Sequence, residues 1–270
     1  MYSKKRNRRI YTILLISCIV GFWLIENFYT PANYSDSNIQ ELQTKIPIDF
    51  LPSSTTGAIV EHNHFTLSYN EPFEQAEWVA YTLKKQHLTF DDRKRPYFIE
   101  DPKVKTKSAN WLNYKGSGYD RGHLCPAGDR RFSEQAYNET FYTSNISPQD
   151  RDFNAGVWNR LEIQVRKWTK GYSELFVVTG GVLETGLEEL GEEDIDVPRY
   201  YYKIVARGDP KNPKLLAFLL LGKESTKPLR QFTVSVDDIE TRTGIDFFER
   251  LPDELEAKLE QEVNTDGWKF

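Results

Sequence analysis

The chain has 270 residues, 39% of them hydrophobic and 14% aromatic, with a formal net charge of −5. That length holds one large domain or two small ones, with enough apolar residues for a substantial core. Lys4, Lys5, Arg6, Arg8 and Arg9 lie ahead of residue 10 and leave a balance of −10 for the rest, which excludes attraction of phosphate backbones by overall charge; any such binding needs a local basic cleft.

From the N-terminus, Ile10 to Ile25 is apolar apart from Thr12 and Ser17. Behind a basic front, this reads as an export signal or membrane anchor over residues 1–30. No Ala-x-Ala site follows, which favours an uncleaved anchor with the basic end in the cytoplasm. A cleaved signal, or a lipoprotein processed at Leu15-Ile16-Ser17-Cys18, is the alternative. All three put the body outside the cytoplasm, periplasmic or extracellular. Cys18 lies in the apolar segment, so Cys125 has no partner for a disulfide within the body. Residues 31–57, with Pro31, Pro47, Pro52 and Ser53 to Thr56, read as a tether. One domain over 58–270 follows.

Within it, Phe65 to Tyr69 alternates like a half-buried strand, Glu74 to Glu77 suits a helical turn, and Trp78 to Leu83 suits a second strand. Glu174 to Val182, Arg199 to Arg207 and Lys214 to Leu221 are rich in aliphatic, aromatic and β-branched residues between Gly or Pro, the signature of strands. Asp209 to Pro213 is a turn cluster joining the last two. Asn154 to Trp168 is a helix, with Trp158, Leu161, Val165 and Trp168 at helical spacing and Gly171 as its stop; Pro252 to Glu262 is another. The expected fold is α+β with a largely antiparallel sheet, preceded by an apolar helix.

The chemistry concentrates in Tyr119-Asp120-Arg121-Gly122-His123, then Asn145-Ile146-Ser147-Pro148-Gln149, then Asn154, Trp158, Leu161, Glu162 and Arg166. A histidine offers a base at neutral pH, an asparagine a neutral oxygen for a hard cation, and arginines hold phosphate oxygens. Glu162 and Arg166 are i, i+4 neighbours and pair readily. Weaker signals are His62 and His64, read as surface residues, and the acidic run Glu188 to Asp196, read as a solvated loop. Cys125, two positions past His123, reads as a packing residue.

Motif by motif, these segments resemble the DNA/RNA non-specific endonucleases of the ββα-metal superfamily, from about Phe65 to about Leu259. The resemblance implies a ββα-metal motif in which His123 is the general base and Asn154 the metal ligand. It implies that Glu162 holds metal-bound water, that Arg166 follows it, and that Asn145 belongs to the catalytic set with Arg121. An Arg-x-x-Phe-x-x-Asp-Pro pattern falls on Arg95 to Pro102, with Arg93 close by as the other candidate. Ser235 to Glu240 and Thr243 to Phe248 resemble the family's closing segment. The implied cofactor is Mg2+, with Mn2+ as the alternative; the implied substrates are DNA and RNA, cut to 5′-phosphorylated products. A homodimer is left open. A catalytically silent binding protein and a phosphodiesterase on small or lipid-linked substrates are the competing readings.

Overall fold

The computed structural model describes residues 2–28, Tyr34, 50–208 and 213–270. Helix α1 (Tyr2–Phe28) forms a unit by itself. Its stretch Asn7–Ile25 is long and apolar enough to cross a membrane. The expected turn at Asp209 to Pro213 lies outside the described residues except for Pro213, as does most of the expected tether.

Seven antiparallel strands build the central sheet of the body. In chain order its first three are β1 (Ile59–Glu61), β2 (Thr66–Asn70) and β3 (Gln75–Lys84). A short pair, β4 (Tyr119–His123) and β5 (Ile146–Asp150), follows, separated by helix α2 (Glu134–Glu139). Then come α3 (Arg151–Phe153), a wide π-type turn at Asn154–Trp158, and α4 (Asn159–Tyr172). Strand β6 (Glu174–Gly181), the pair β7 (Glu188–Leu190) and β8 (Ile195–Val197), and β9 (Tyr200–Arg207) lead to β10 (Lys214–Leu221) and β11 (Thr233–Val234). Helices α5 (Val236–Thr243) and α6 (Asp253–Gln261) close the chain. The sheet order is β1-β2-β3-β6-β9-β10-β11, while β4 pairs only with β5.

Both faces of this sheet are covered, so its central strands are apolar on successive residues and not merely on alternate ones. On one face, Val79, Tyr81, Val177, Val205, Leu216 and Phe218 pack against Trp158, Leu161, Val165 and Trp168 of the helical segment. On the other, Trp78, Phe176, Ile204 and Ala217 pack with Ile239, Phe247 and Phe248. A third, smaller cluster of Phe98, Tyr114, Phe141, Ile146 and Ile195 lies beside the β4–β5 pair.

Several local expectations are corrected. Glu74 ends a 3-10 turn at Glu71–Phe73 in a left-handed conformation, and β3 starts at once, so no helical turn forms there. Helix α4 runs past Gly171 and stops at Ser173, whose φ is 71°. The acidic run is not a plain loop: it forms the β7–β8 hairpin, and Glu193 accepts a bond from the Asn110 N–H. Residues at the end of the expected tether are packed, with Phe50 buried against Phe176 and Phe248.

His62 and His64 are buried, contrary to their reading as surface residues. His62 Nε2 lies 2.8 Å from Asp101 Oδ2, a partner 39 residues away that no local pattern announces. Burial alone would raise the Asp101 carboxyl, but hydrogen bonds from His62, Ser144 and the Lys103 N–H hold it below its usual range. Asp101 thereby ties the segment after Phe98 to the start of β5.

Candidate active site

Strands β4 and β5 and the helix after them form a ββα unit. Tyr119-Asp120-Arg121-Gly122-His123 has no apolar alternation. It is a strand because its backbone pairs with Ile146 to Asp150 from end to end. Strand β5 leads directly into a helix, since Asp150 Oδ1 caps it by accepting the Phe153 N–H at 2.9 Å.

Three residues from two motifs surround one aromatic ring. The guanidinium carbons of Arg121 and Arg95 lie 4.7 and 5.3 Å from the centre of Phe98, and the His123 ring lies 5.6 Å from it. Phe141 meets His123 edge-on at 4.9 Å. Arg93 turns away, its Nε donating to the Arg131 carbonyl at 3.0 Å and its Nη2 to Asp91 at 3.3 Å. Arg95, not Arg93, is therefore the arginine beside the histidine. Burial first, then Arg95 and Arg121, push the His123 imidazole down to about 3. It is neutral at physiological pH, and its Nε2 is shielded with no hydrogen-bond partner.

Asn145 does different work from the role expected of it. Its Oδ1 accepts the Cys125 N–H at 2.8 Å, and its Nδ2 donates to the carbonyls of Cys125 and Thr140 at 3.0 and 2.9 Å. The carboxamide is occupied by backbone and fully buried, so Asn145 ties the chain just past His123 to Thr140. Cys125 is buried as expected, and burial pushes its thiol up to about 12.

Asn154 opens the wide turn, and its Nδ2 donates to Asp120 Oδ2 at 3.1 Å. That bond fixes which way the amide oxygen faces. In an uninterrupted α-helix Asn154 and Glu162, eight residues apart, would be offset by about 80°. A π-type turn takes up roughly one extra residue and so removes rotation between them. The turn breaks at Gly156 (φ −97°, ψ −109°) and is held there by Glu224, whose Oε2 accepts the Val157 N–H at 2.6 Å. A side chain at Gly156 would run into that carboxylate. Arg160 adds a second tie to the same loop, donating to the Ser225 carbonyl at 2.5 Å.

Glu162 accepts from Arg166 at 3.2 Å, the pair expected from the i, i+4 spacing. Arg166 Nε also reaches Asp129 Oδ1 at 2.5 Å, and Tyr81 donates to the other Asp129 oxygen at 3.2 Å. Beneath them lies Lys203 on β9, fully buried, its Nζ 4.6 Å from the centre of the Trp158 ring. Burial raises the Glu162 carboxyl to about 7 even though Arg166 and Lys203 pull it down. Burial lowers the Lys203 ammonium to about 8 against the pull of Glu162 and Asp129.

Sequence reasoning missed Asp120, Gln149, Phe98, Lys203 and Glu224 as members of this site. Asp120 and Gln149 were inside the quoted motifs. Gln149 is buried against Gly122, where any side chain would collide with its carboxamide, and neither of its amide atoms has a partner. Lys203 had a signal too, since a lysine interrupts an apolar strand at a position facing the helix. Glu224 had none, because only the tertiary fold brings it to the turn.

The oxygen donors around the opening of this helix are the Asn154 amide oxygen and the Asp120 carboxylate, with Glu162 eight residues further along it. Hard oxygen donors of this kind suit Mg2+ or Mn2+, and no thiol or free imidazole competes among these groups.

Comparison with known proteins places the chain in a family. The sequence model of the DNA/RNA non-specific endonucleases matches residues 43–254. The chain is 37% identical over 207 residues to mitochondrial nuclease EXOG of Mus musculus, covering 70% of this chain and 56% of that protein. It is 32% identical over 281 residues to the mitochondrial nuclease of Saccharomyces cerevisiae, covering 94% and 85%. Among solved structures, that of the EndoG/EndoGI complex matches with a TM-score of 0.67 at 29% identity, over 73% of this chain and 88% of that one.

Proposed function

The chain belongs to the DNA/RNA non-specific endonuclease family, and from that premise we propose that it hydrolyses phosphodiester bonds of DNA and RNA with little sequence preference. The observation that carries this reading is the convergence of Arg95, Arg121 and His123 on Phe98, next to a helix opened by Asn154.

Neutral His123 accepts a proton from water as that water attacks phosphorus. Arg95 and Arg121 hold non-bridging oxygens. A phosphate between them offsets the two charges that depress His123, so the imidazole becomes a stronger base as substrate arrives. Asn154 would hold a divalent cation directly, Mg2+ in first place and Mn2+ as the alternative, with Asp120 and Glu162 on its ordered waters. When bound, that ion supplies charge stabilisation at the phosphate and the departing oxygen. Arg166 and Lys203 favour the ionised form of Glu162 against the larger effect of burial, and Asn145 and Phe98 keep His123 in place.

The apolar N-terminal helix would serve as a membrane anchor or export signal, with the catalytic body held outside the cytoplasm. The packing of Phe50 supports placing the start of that body ahead of Ala58.

Purified full-length protein in detergent, incubated with plasmid and with RNA in Mg2+ or EDTA, tests the catalytic reading. Cleavage of both that stops in EDTA is expected. Failure to cut either polymer with Mg2+ or Mn2+ present would overturn it.

A further inference from the structure

A groove of about 360 Å3 runs along the exposed side of α4. Its walls carry Arg131, Arg166, Lys167 and Lys170, and no acidic side chain lines it. Lys167 and Lys170 are exposed, and neither has an ion-pair partner among the described residues. Phe90 stands at its rim with 91% of its surface exposed, and Ile163 is 40% exposed. Lys170 Nζ lies 5.9 Å from the centre of the Phe90 ring.

An aromatic side chain this exposed has no packing role, and here it sits among cations on a body that is otherwise acidic. Flat apolar rings beside phosphate-binding cations are the combination by which single strands are gripped: bases stack and the backbone is tracked by charge. A base inside a duplex cannot reach a ring at the protein surface, so the chemistry favours an unpaired strand. Arg166 lines the groove and donates to Glu162, and from Glu162 to Lys170 the helix rises by about 12 Å, the length of three to four stacked nucleotides.

We propose that this groove is an extended substrate subsite, in which Phe90 stacks a base of a single strand three to four nucleotides along from Glu162 while Lys167 and Lys170 hold its phosphates. The proposal rests on the nuclease reading and deepens it. It makes the enzyme favour strands long enough to reach Phe90 over minimal substrates.

Full-length wild type, Phe90→Ala and Lys170→Gln should be compared on a single-stranded 12-mer and on a dinucleotide. The KM advantage of the 12-mer should shrink at least about fivefold in Phe90→Ala, as expected from loss of one stacked base. Unchanged KM values, or a loss as large on the dinucleotide, would overturn the proposal. So would a loss confined to duplex substrate, which would make the groove a duplex contact. Binding of a labelled 12-mer, measured by anisotropy on His123→Ala with and without Phe90→Ala, separates this inference from the catalytic one. Tighter binding with Phe90 present sustains the subsite even where no cleavage is seen. Binding indifferent to Phe90 ends it even where cleavage is robust. A second copy of the chain in the groove would show as concentration-dependent association that Phe90→Ala abolishes, with strand binding unaffected, and would equally overturn it.

Discussion

At the scale of single residues, the site is organised by Phe98. One ring positions two arginines and a histidine at distances of 4.7 to 5.6 Å, and it does so without neutralising any of them. Burial first, and then the two cations, keep His123 unprotonated, so replacing it removes a proton acceptor and not a charge partner. His123→Ala should lower plasmid cleavage about 10²–10⁴-fold and leave the melting temperature nearly unchanged. Rates within a factor of a few of wild type would place the base elsewhere.

A second residue-scale prediction concerns pH. His123 gains a proton only near pH 3, whereas Glu162 loses its charge as pH falls through about 7. The acid limb of the activity profile should therefore follow Glu162. A bound cation favours the ionised carboxylate, so raising Mg2+ should move the midpoint of that limb to lower pH. A limb that ignores Mg2+ and persists in Glu162→Gln would exclude this assignment.

The residues that were legible in the sequence are those whose chemistry is carried by type and spacing. Arg121 and His123 meet at Phe98, Asn154 meets Asp120 beside them in sequence, and Glu162 pairs with Arg166. What was not legible depended on distance in the chain: Asp101 for His62, Glu224 for Val157.

Among the elements, the strands of the large sheet could be read because burial on both faces leaves continuous apolar runs, as in Leu175-Phe176-Val177-Val178 and Leu215 to Leu220. Strand β4 could not, since pairing with β5 alone makes it a strand. The wide turn at Asn154–Trp158 was equally hidden, because apolar spacing cannot distinguish a helix from a helix with one turn expanded. Glu224 is what holds that turn. Glu224→Ala would orphan the Val157 N–H, costing on the order of 1–2 kcal/mol, and should weaken the Mg2+ dependence of cleavage by loosening Asn154. Calorimetry and metal titration check both parts; a stability loss with an unaltered titration would show that the turn does not position the ligand.

On the scale of the whole molecule, two features answer the charge problem. The acidic balance of −10 is spread over the body, while arginines and lysines gather at Phe98 and along α4. Local concentration outweighs net charge once a strand is within a Debye length. The apolar helix raises a separate expectation. If it is an anchor with its basic end inside, protease added to intact spheroplasts, or to the corresponding sealed organelles, should digest the body and leave a membrane-bound N-terminal stub. A body that resists until lysis would reverse the orientation.

Lys203 carries a consequence for evolution. A buried lysine without a hydrogen-bond partner is costly to keep, and Arg166 would still hold Glu162 without it. Lys203→Met should therefore melt higher, by on the order of 1 kcal/mol, yet turn over more slowly at pH 7, because Glu162 would be more often protonated. A variant no more stable than wild type, or equally active at pH 7, would show that the lysine serves packing alone. Mutations that accumulate under demand for heat resistance only should then find this position early, and lineages that lost the need to cut nucleic acid should show it vacated by an aliphatic residue.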